Sequence, residues 1–160
     1  MIFEKANKND AKELLALYRT SLYDPFSVWN EEYPNNETIE EDLKLDNLFV
    51  MRDGGVIAGA ISLCPHDEET DSKPFWTDRS GGHVEFARVC VGPAFRGRGL
   101  AYTMVEEIEN EARRRGHTSV RLLVAVKNIP AYKTYIKAGY KIIGEGDMYE
   151  SHYYFGEKYI

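Results

Sequence analysis

Along this chain the apolar positions change period several times, and each change marks an element. Ile2 to Ala6 alternates weakly and predicts a short first strand. Asp10 and Glu13 then have the Asp-x-x-Glu spacing of a capping box. Ala11, Leu14, Leu15 and Tyr18 recur at i, i+3, i+4 and i+7, so a helix with one buried face is expected. Residues 21 to 36 carry Pro25, Pro34 and Asn35-Asn36 and read as a loop with room for a short helical turn. A second, acidic helix is expected near 37 to 45, with Ile39 and Leu43 on its buried side.

Leu48 to Arg52 and Val56 to Leu63 are β-rich runs on either side of Asp53-Gly54-Gly55, a turn sequence that tolerates positive φ, and they predict an antiparallel hairpin. Residues 64 to 82 form a polar, acidic connection with Pro65, Pro74 and Gly81-Gly82. It is long enough to be a functional flap, or else Phe75 and Trp76 at its tip anchor it to the body. From Val84 the pattern predicts a strand to about Val91, a glycine-rich turn and a helix to Arg115. That helix rests on Leu100, Met104, Val105, Ile108 and Ala112. A strand over Ser119 to Val126 follows, then a helix from about Ile129 to Ala138 carrying Ala131 and Tyr135, then two closing strands. This order is that of an α+β fold.

The length of 160 residues is that of one domain, 1–160, able to bury a core without disulfides or metals. Nothing at the start resembles a signal peptide and no apolar run is long enough to span a bilayer, so a cytoplasmic protein with no membrane partner is expected. A net charge of -6 disfavours nucleic acid as a partner. The one basic run, Arg113-Arg114-Arg115, ends a predicted helix just before Gly116, where cations complement the helix dipole. Cys64 and Cys90 lack metal or redox spacing, so both are read as reduced thiols, and no metal is expected.

The candidate chemistry lies in Val89-Cys90-Val91-Gly92-Pro93-Ala94-Phe95-Arg96-Gly97-Arg98-Gly99-Leu100-Ala101, which passes from a β pattern through a glycine- and arginine-rich turn into an amphipathic helix. The first amides of a helix lack intrahelical acceptors and sit in positive potential, and glycines let a phosphate approach the backbone. Arg96 and Arg98 add charge and forked donors. A nucleotide P-loop is excluded because Arg98-Gly99 stands where that motif needs Lys and Ser or Thr. A dinucleotide fingerprint is excluded because Tyr102 stands in place of its third glycine.

Arg96, Gly99 and Ala101 match the Gln/Arg-x-x-Gly-x-Gly/Ala pyrophosphate loop of the GNAT (N-acetyltransferase) superfamily, which the chain resembles. Asn128, Ala131, Tyr135, Gly139 and Tyr140 match that family's second signature, Asn-x-x-Ala-x-x-x-Tyr-x-x-x-Gly-Phe/Tyr, after the next strand. The resemblance implies a mixed, mostly antiparallel sheet of about seven strands, splayed at its centre between the strands ending near Val91 and Val126 and flanked by about four helices. It implies acetyl-CoA in the gap as acyl donor, with Val89 and Val91 pairing with the pantetheine amides, Gly97 to Ala101 (Gly97, Arg98, Gly99, Leu100 and Ala101) on the pyrophosphate, and Asn128 on the pantetheine arm. A backbone amide of Val89 or Cys90 would face the acetyl carbonyl.

Transfer to an amine needs a base for the ammonium and an acid for the thiolate. Tyr135 is the candidate acid, since a phenol ordinarily titrates near ~10, in the range of an alkyl thiol. Glu85 is the candidate base, sharing a face with Ala87 and Val89 if strict alternation holds; a water chain is the alternative. His83 is a second choice, and His66, His117 and His152 give no triad spacing. Cys90 lacks an identifiable histidine partner for a nucleophilic role. Acidic clusters at Glu31-Glu32, Glu40-Glu41-Asp42 and Asp67-Glu68-Glu69 fit a cationic small-molecule or peptide amine as well as they fit solvated faces. The rival reading is a non-catalytic module that senses acyl-CoA. Tyr153-Tyr154-Phe155 fits a core strand or a subunit contact, so monomer and homodimer both stay open.

Overall fold

The computed structural model describes all residues from Met1 to Ile160. Seven strands form one sheet: β1 (Ile2–Lys5), β2 (Leu48–Asp53), β3 (Val56–Cys64), β4 (His83–Val91), β5 (Ser119–Ala125), β6 (Lys141–Met148) and β7 (Ser151–Tyr159). Their order across the sheet is β1-β2-β3-β4-β5-β7-β6. Every neighbouring pair is antiparallel except β4 and β5. Parallel neighbours need a crossover, and α4 (Leu100–Arg114) supplies it. The remaining helices are α1 (Ala11–Arg19), α2 (Asn36–Lys44), the single-turn α3 (Glu68–Asp71) and α5 (Ile129–Lys137). No helix is long and apolar enough to cross a membrane.

The sheet is covered on both faces. Leu100, Met104, Val105, Ile108 and Ala112 of α4 and Tyr135 and Ala138 at α5 pack with Val84, Phe86, Val120 and Leu122. Leu14, Leu17 and Tyr18 of α1 and Ile39 of α2 pack on the other side with Val50, Ala60 and Cys90. The 3.6-residue spacing in α4 is thus what places its stripe on the strands. Gly116, at φ +88, ends α4: its N–H donates to Arg113 O and the His117 N–H to Ala112 O, a Schellman closure. The arginine run serves structure there, with Arg114 and Arg115 bound to Glu111 and Arg115 also donating to Asn47 Oδ1 at 2.7 Å.

Two local expectations change, and one open alternative is decided. The Asp10/Glu13 capping box does not form, because Asn7 caps a preceding turn and draws in the Asp10 carboxylate, which also pairs with Arg52 at 2.6 Å. Glu13 instead accepts from the Ile57 N–H at 2.6 Å and ties α1 to β3. In α2 the buried partner of Ile39 is Asp42, whereas Leu43 is half-buried. The 64–82 connection is anchored: Trp76 is buried against Phe155, donates to Thr70 O at 2.8 Å and stacks under Arg121 at 4.4 Å. Phe155 is fully buried, so the Tyr153-Tyr154-Phe155 run belongs to core strand β7.

Candidate active site

Pairing of β4 with β5 covers only His83–Ser119, Val84–Val120 and Glu85–Arg121. Beyond Glu85 the strands part, as the splayed sheet requires, and a cavity of about 740 Å3 opens between them. Such a volume lies within the range of small-molecule sites, roughly 300–1,000 Å3. Phe86 to Val91 form one wall, Leu123 to Ala125 and Ala131, Thr134 and Tyr135 the other, and Pro25 to Trp29 close it from the loop after α1. Arg96, Gly97 and the start of α4 bound one end.

That end has the backbone conformation an anion cradle requires. Gly97 and Gly99 have φ of +76 and +73, and a Cβ at either would meet nothing within 4 Å, so backbone geometry rather than crowding calls for glycine. Gly99 is the N-cap of α4 and has no side chain to cap the first amides, so those of Leu100 and Ala101 keep their donors for a ligand at the positive end of a 15-residue helix. Arg96 is exposed at the rim and its Nε donates to Val91 O at 3.3 Å. Arg98 departs from expectation: its guanidinium lies 5.7 Å from the Phe95 ring and borders a separate hollow with Phe3 and Met51, so only its backbone belongs to the turn. Lys137, with Nζ 5.0 Å from the Tyr102 ring, is a cavity-lining cation that sequence reading missed.

The expected residues Val89, Cys90, Val91, Asn128 and Tyr135 all line the same cavity. Asn128 also has a structural duty, accepting from the Ala131 N–H at 3.3 Å to cap α5. Tyr135 is 7% exposed and meets Phe86 edge-on at 5.2 Å. Burial raises its pKa, which keeps the phenol protonated through the neutral range. The Cys90 thiol is turned toward α1, 3.5 Å from Leu17 O, and burial pushes it up to about 11, which fits an inert thiol.

Glu85 does not share a face with Val89. Ser62 pairs with Ala87 and Ala60 with Cys90, so Ile61 alone opposes both Arg88 and Val89. This is a β-bulge, and Arg88 takes φ +53 within it. Val84 and Phe86 before the bulge and Val89 and Val91 after it therefore all face α4 and α5, while Cys90 joins the α1 side. Glu85 is half-buried and outside the cavity lining. Burial first, then Asp67 and Asp71, pushes its carboxyl up to about 8, with Arg88 and Arg121 pulling the other way.

Arg88 is the functional-region residue whose role the sequence did not announce, although an arginine amid β-rich apolar positions was a signal. Its Nε and Nη2 fork onto the buried Asp42 at 2.8 and 2.7 Å, and its Nη1 donates to Tyr33 Oη at 3.1 Å. Asp42 also accepts from Ser62 Oγ at 2.8 Å. The bulge, α2 and the loop over the cavity are thereby tied at one guanidinium. Near the start of β4, His83 lies 3.0 Å from Asp71, with His66 close by, an association that sequence spacing does not reveal.

The acetyltransferase (GNAT) family model matches residues 11–140. The chain belongs to the GNAT family. Acetyltransferases of this family use acetyl-CoA and act on amine acceptors. Among solved structures, a GNAT-family acetyltransferase from Streptococcus agalactiae superposes with a TM-score of 0.85 at 21% identity, covering 99% of this chain and 95% of that one. A ribosomal-protein-alanine N-acetyltransferase from Brucella melitensis gives 0.78 at 22% identity over 100% of both chains. The putative acetyltransferase yncA from Salmonella typhimurium, solved with its cofactor acetyl-CoA, gives 0.74 at 19% identity over 99% of this chain and 93% of that one. These likenesses are of fold. No curated protein matches the sequence.

Proposed function

We propose that this GNAT chain is an N-acetyltransferase in which an amine attacks the thioester of acetyl-CoA directly, inside the gap between β4 and β5. One observation carries the reading: a single cavity runs between the uncapped amides of the Gly97-to-Ala101 turn and the Tyr135 hydroxyl-bearing wall. A diphosphate held by the turn and a thioester reaching toward Tyr135 are then parts of one ligand. Lone amide cradles serve many phosphates, but this pairing suits an acylated thiol on a nucleotide arm.

In the proposed reaction the neutral amine forms a bond to the acetyl carbonyl carbon, and the oxygen takes the negative charge. A backbone N–H of Val89 or Cys90 donates to it, an interaction worth about 3 kcal/mol in the transition state. Collapse breaks the carbon–sulfur bond, and Tyr135 gives its proton to the departing thiolate. The phenol carries its proton at neutral pH, as the role requires, while burial makes it a weaker acid than a free tyrosine. Because Glu85 lies outside the cavity lining, the proton that the amine must lose leaves through a water chain, with the Glu85 carboxyl, pushed up to about 8, as its acceptor.

Thiol release from acetyl-CoA across a panel of amines, with products identified by mass, tests the proposal. Tyr135→Phe is expected to lower turnover by ~100-fold or more while coenzyme A affinity stays nearly unchanged. Unchanged turnover removes Tyr135 from the mechanism. Thermal stabilisation by acetyl-CoA with no transfer to any amine would replace the enzyme with an acyl-CoA sensor.

A further inference from the structure

Three potential metal ligands converge outside the cleft from three separate segments. His66 follows β3, Asp71 ends α3 and His83 opens β4. One nitrogen or oxygen from each lies within 4.8 Å of the others. We propose that His66, Asp71 and His83 form a divalent-metal site of the zinc class, with a fourth position open to water.

The distances fit the ion. Tetrahedral zinc with bonds of about 2.0–2.2 Å holds its ligand atoms roughly 3.3 Å apart. His83 Nε2 is 3.0 Å from Asp71 Oδ1, and His66 Nδ1 is 3.8 Å from Asp71 Oδ2. They reach different oxygens of the carboxylate, so each is a separate approach to the required edge, and all three donors lie within 4.8 Å of one another. The imidazoles stand nearly perpendicular at 87°, with ring centroids 5.9 Å apart, so neither blocks the other.

The donor set is selective. Two imidazoles with one carboxylate suit zinc and its neighbours in the transition series, whereas magnesium and calcium favour all-oxygen shells. Two ligands are already placed, since the His83 side chain is only 11% exposed on its strand and Arg121 grips Asp71 Oδ1 at 3.1 Å. That grip leaves Oδ2 on the side of His66 and resembles the outer hydrogen bonds that orient metal-binding carboxylates. Arg121 itself is held by Trp76 and by Asp78 O at 2.9 Å, which keeps its guanidinium on the Oδ1 side of Asp71. Asp67 adds nearby negative charge. His66 is 76% exposed on a loop, so its ring is free to move toward the other two donors.

The test uses the full chain after chelator treatment, without acetyl-CoA, so its result is separable from that of the transfer assay. Co2+ is expected to give visible d–d bands of four- or five-coordinate geometry, which one equivalent of Zn2+ abolishes. His66→Ala alters an exposed side chain and should keep the metal-free melting temperature while lowering Zn2+ affinity at least ~10-fold. His152→Ala is the control: His152 lies between Glu145 and Asp147 at 2.8 and 2.7 Å on the surface, and its loss should leave Zn2+ affinity unchanged. Absence of stoichiometric Zn2+ binding overturns the proposal. So does an unaffected His66→Ala, or a His152→Ala that abolishes the binding.

Discussion

Gly99 and Gly116 stand at opposite ends of α4, and comparing them isolates what the N-terminal turn does. Both have positive φ, +73 and +88, and a Cβ built on either meets nothing within 4 Å. Alanine at either position therefore costs mainly the left-handed conformation, about 1–2 kcal/mol. For a chain of this length that loss corresponds to a fall in melting temperature of about 2–8 °C. The two variants should be destabilised alike. Binding of coenzyme A should separate them, because the open space beside Gly99 is where the diphosphate would come against the backbone. Displacing it from one or more amides forfeits charged hydrogen bonds of about 1.5–3 kcal/mol, a roughly ten- to hundredfold loss of affinity. Gly116 closes the other end of the helix and has no place in the cavity, so Gly116→Ala should bind as the parent does. Thermal unfolding and titration calorimetry with coenzyme A measure both quantities. Equal affinity losses in the two variants, or none in Gly99→Ala, would refute the assignment of the turn.

Three further outcomes follow from the β4 region. If Glu85 is the base, turnover rises as pH climbs through about 8, because the carboxyl must lose its proton to act, and Glu85→Gln should flatten that rise in a pH-rate profile. The same shift has a sign for stability: the folded carboxyl holds its proton more tightly than the unfolded one, so its contribution is fully present below about pH 4.5 and is lost as pH rises through about 8. Glu85→Gln should thus melt higher than the parent at pH 9 and about equally at pH 4, and the opposite order would sink the argument. Arg88→Ala should cost about 3–5 kcal/mol in urea unfolding, because it strands the Asp42 carboxylate, whose side chain is only 7% exposed. Adding Asp42→Ala should recover part of that loss, and strictly additive costs would show that the fork is not what matters.

Legibility followed the physics of each region. Helix α4 could be read because its apolar positions keep one period over 15 residues, and the turn before it because its glycines interrupt that period. The hairpin β2–β3 was equally plain. What escaped was interaction across distance. Asp10 looked like a capping partner of Glu13, but Arg52, 42 residues away, competes for its carboxylate. Asp42 looked like a solvated charge on an acidic helix, and only the approach of Arg88, 46 residues away, makes it a buried partner. His66, Asp71 and His83 have no common spacing because a loop, a helical turn and a strand deliver them separately.

The bulge shows why one residue of misregister matters for the site. On its β5 side, β4 loses its partner after Glu85, and on its β3 side Ile61 must serve two residues, so the stretch around Arg88 and Val89 is paired less completely than any regular strand. Exposed backbone groups cost free energy unless something else satisfies them. The left-handed φ of Arg88 adds about 1–3 kcal/mol for a non-glycine residue. The fork onto Asp42 offsets this strain, and its partner lies on α2 rather than in the cleft. Stability for the distortion is therefore drawn from outside the cavity. The backbone donors and acceptors it frees remain available to a ligand lying along β4, and Val89 and Val91 keep their side chains packed against the α4 face.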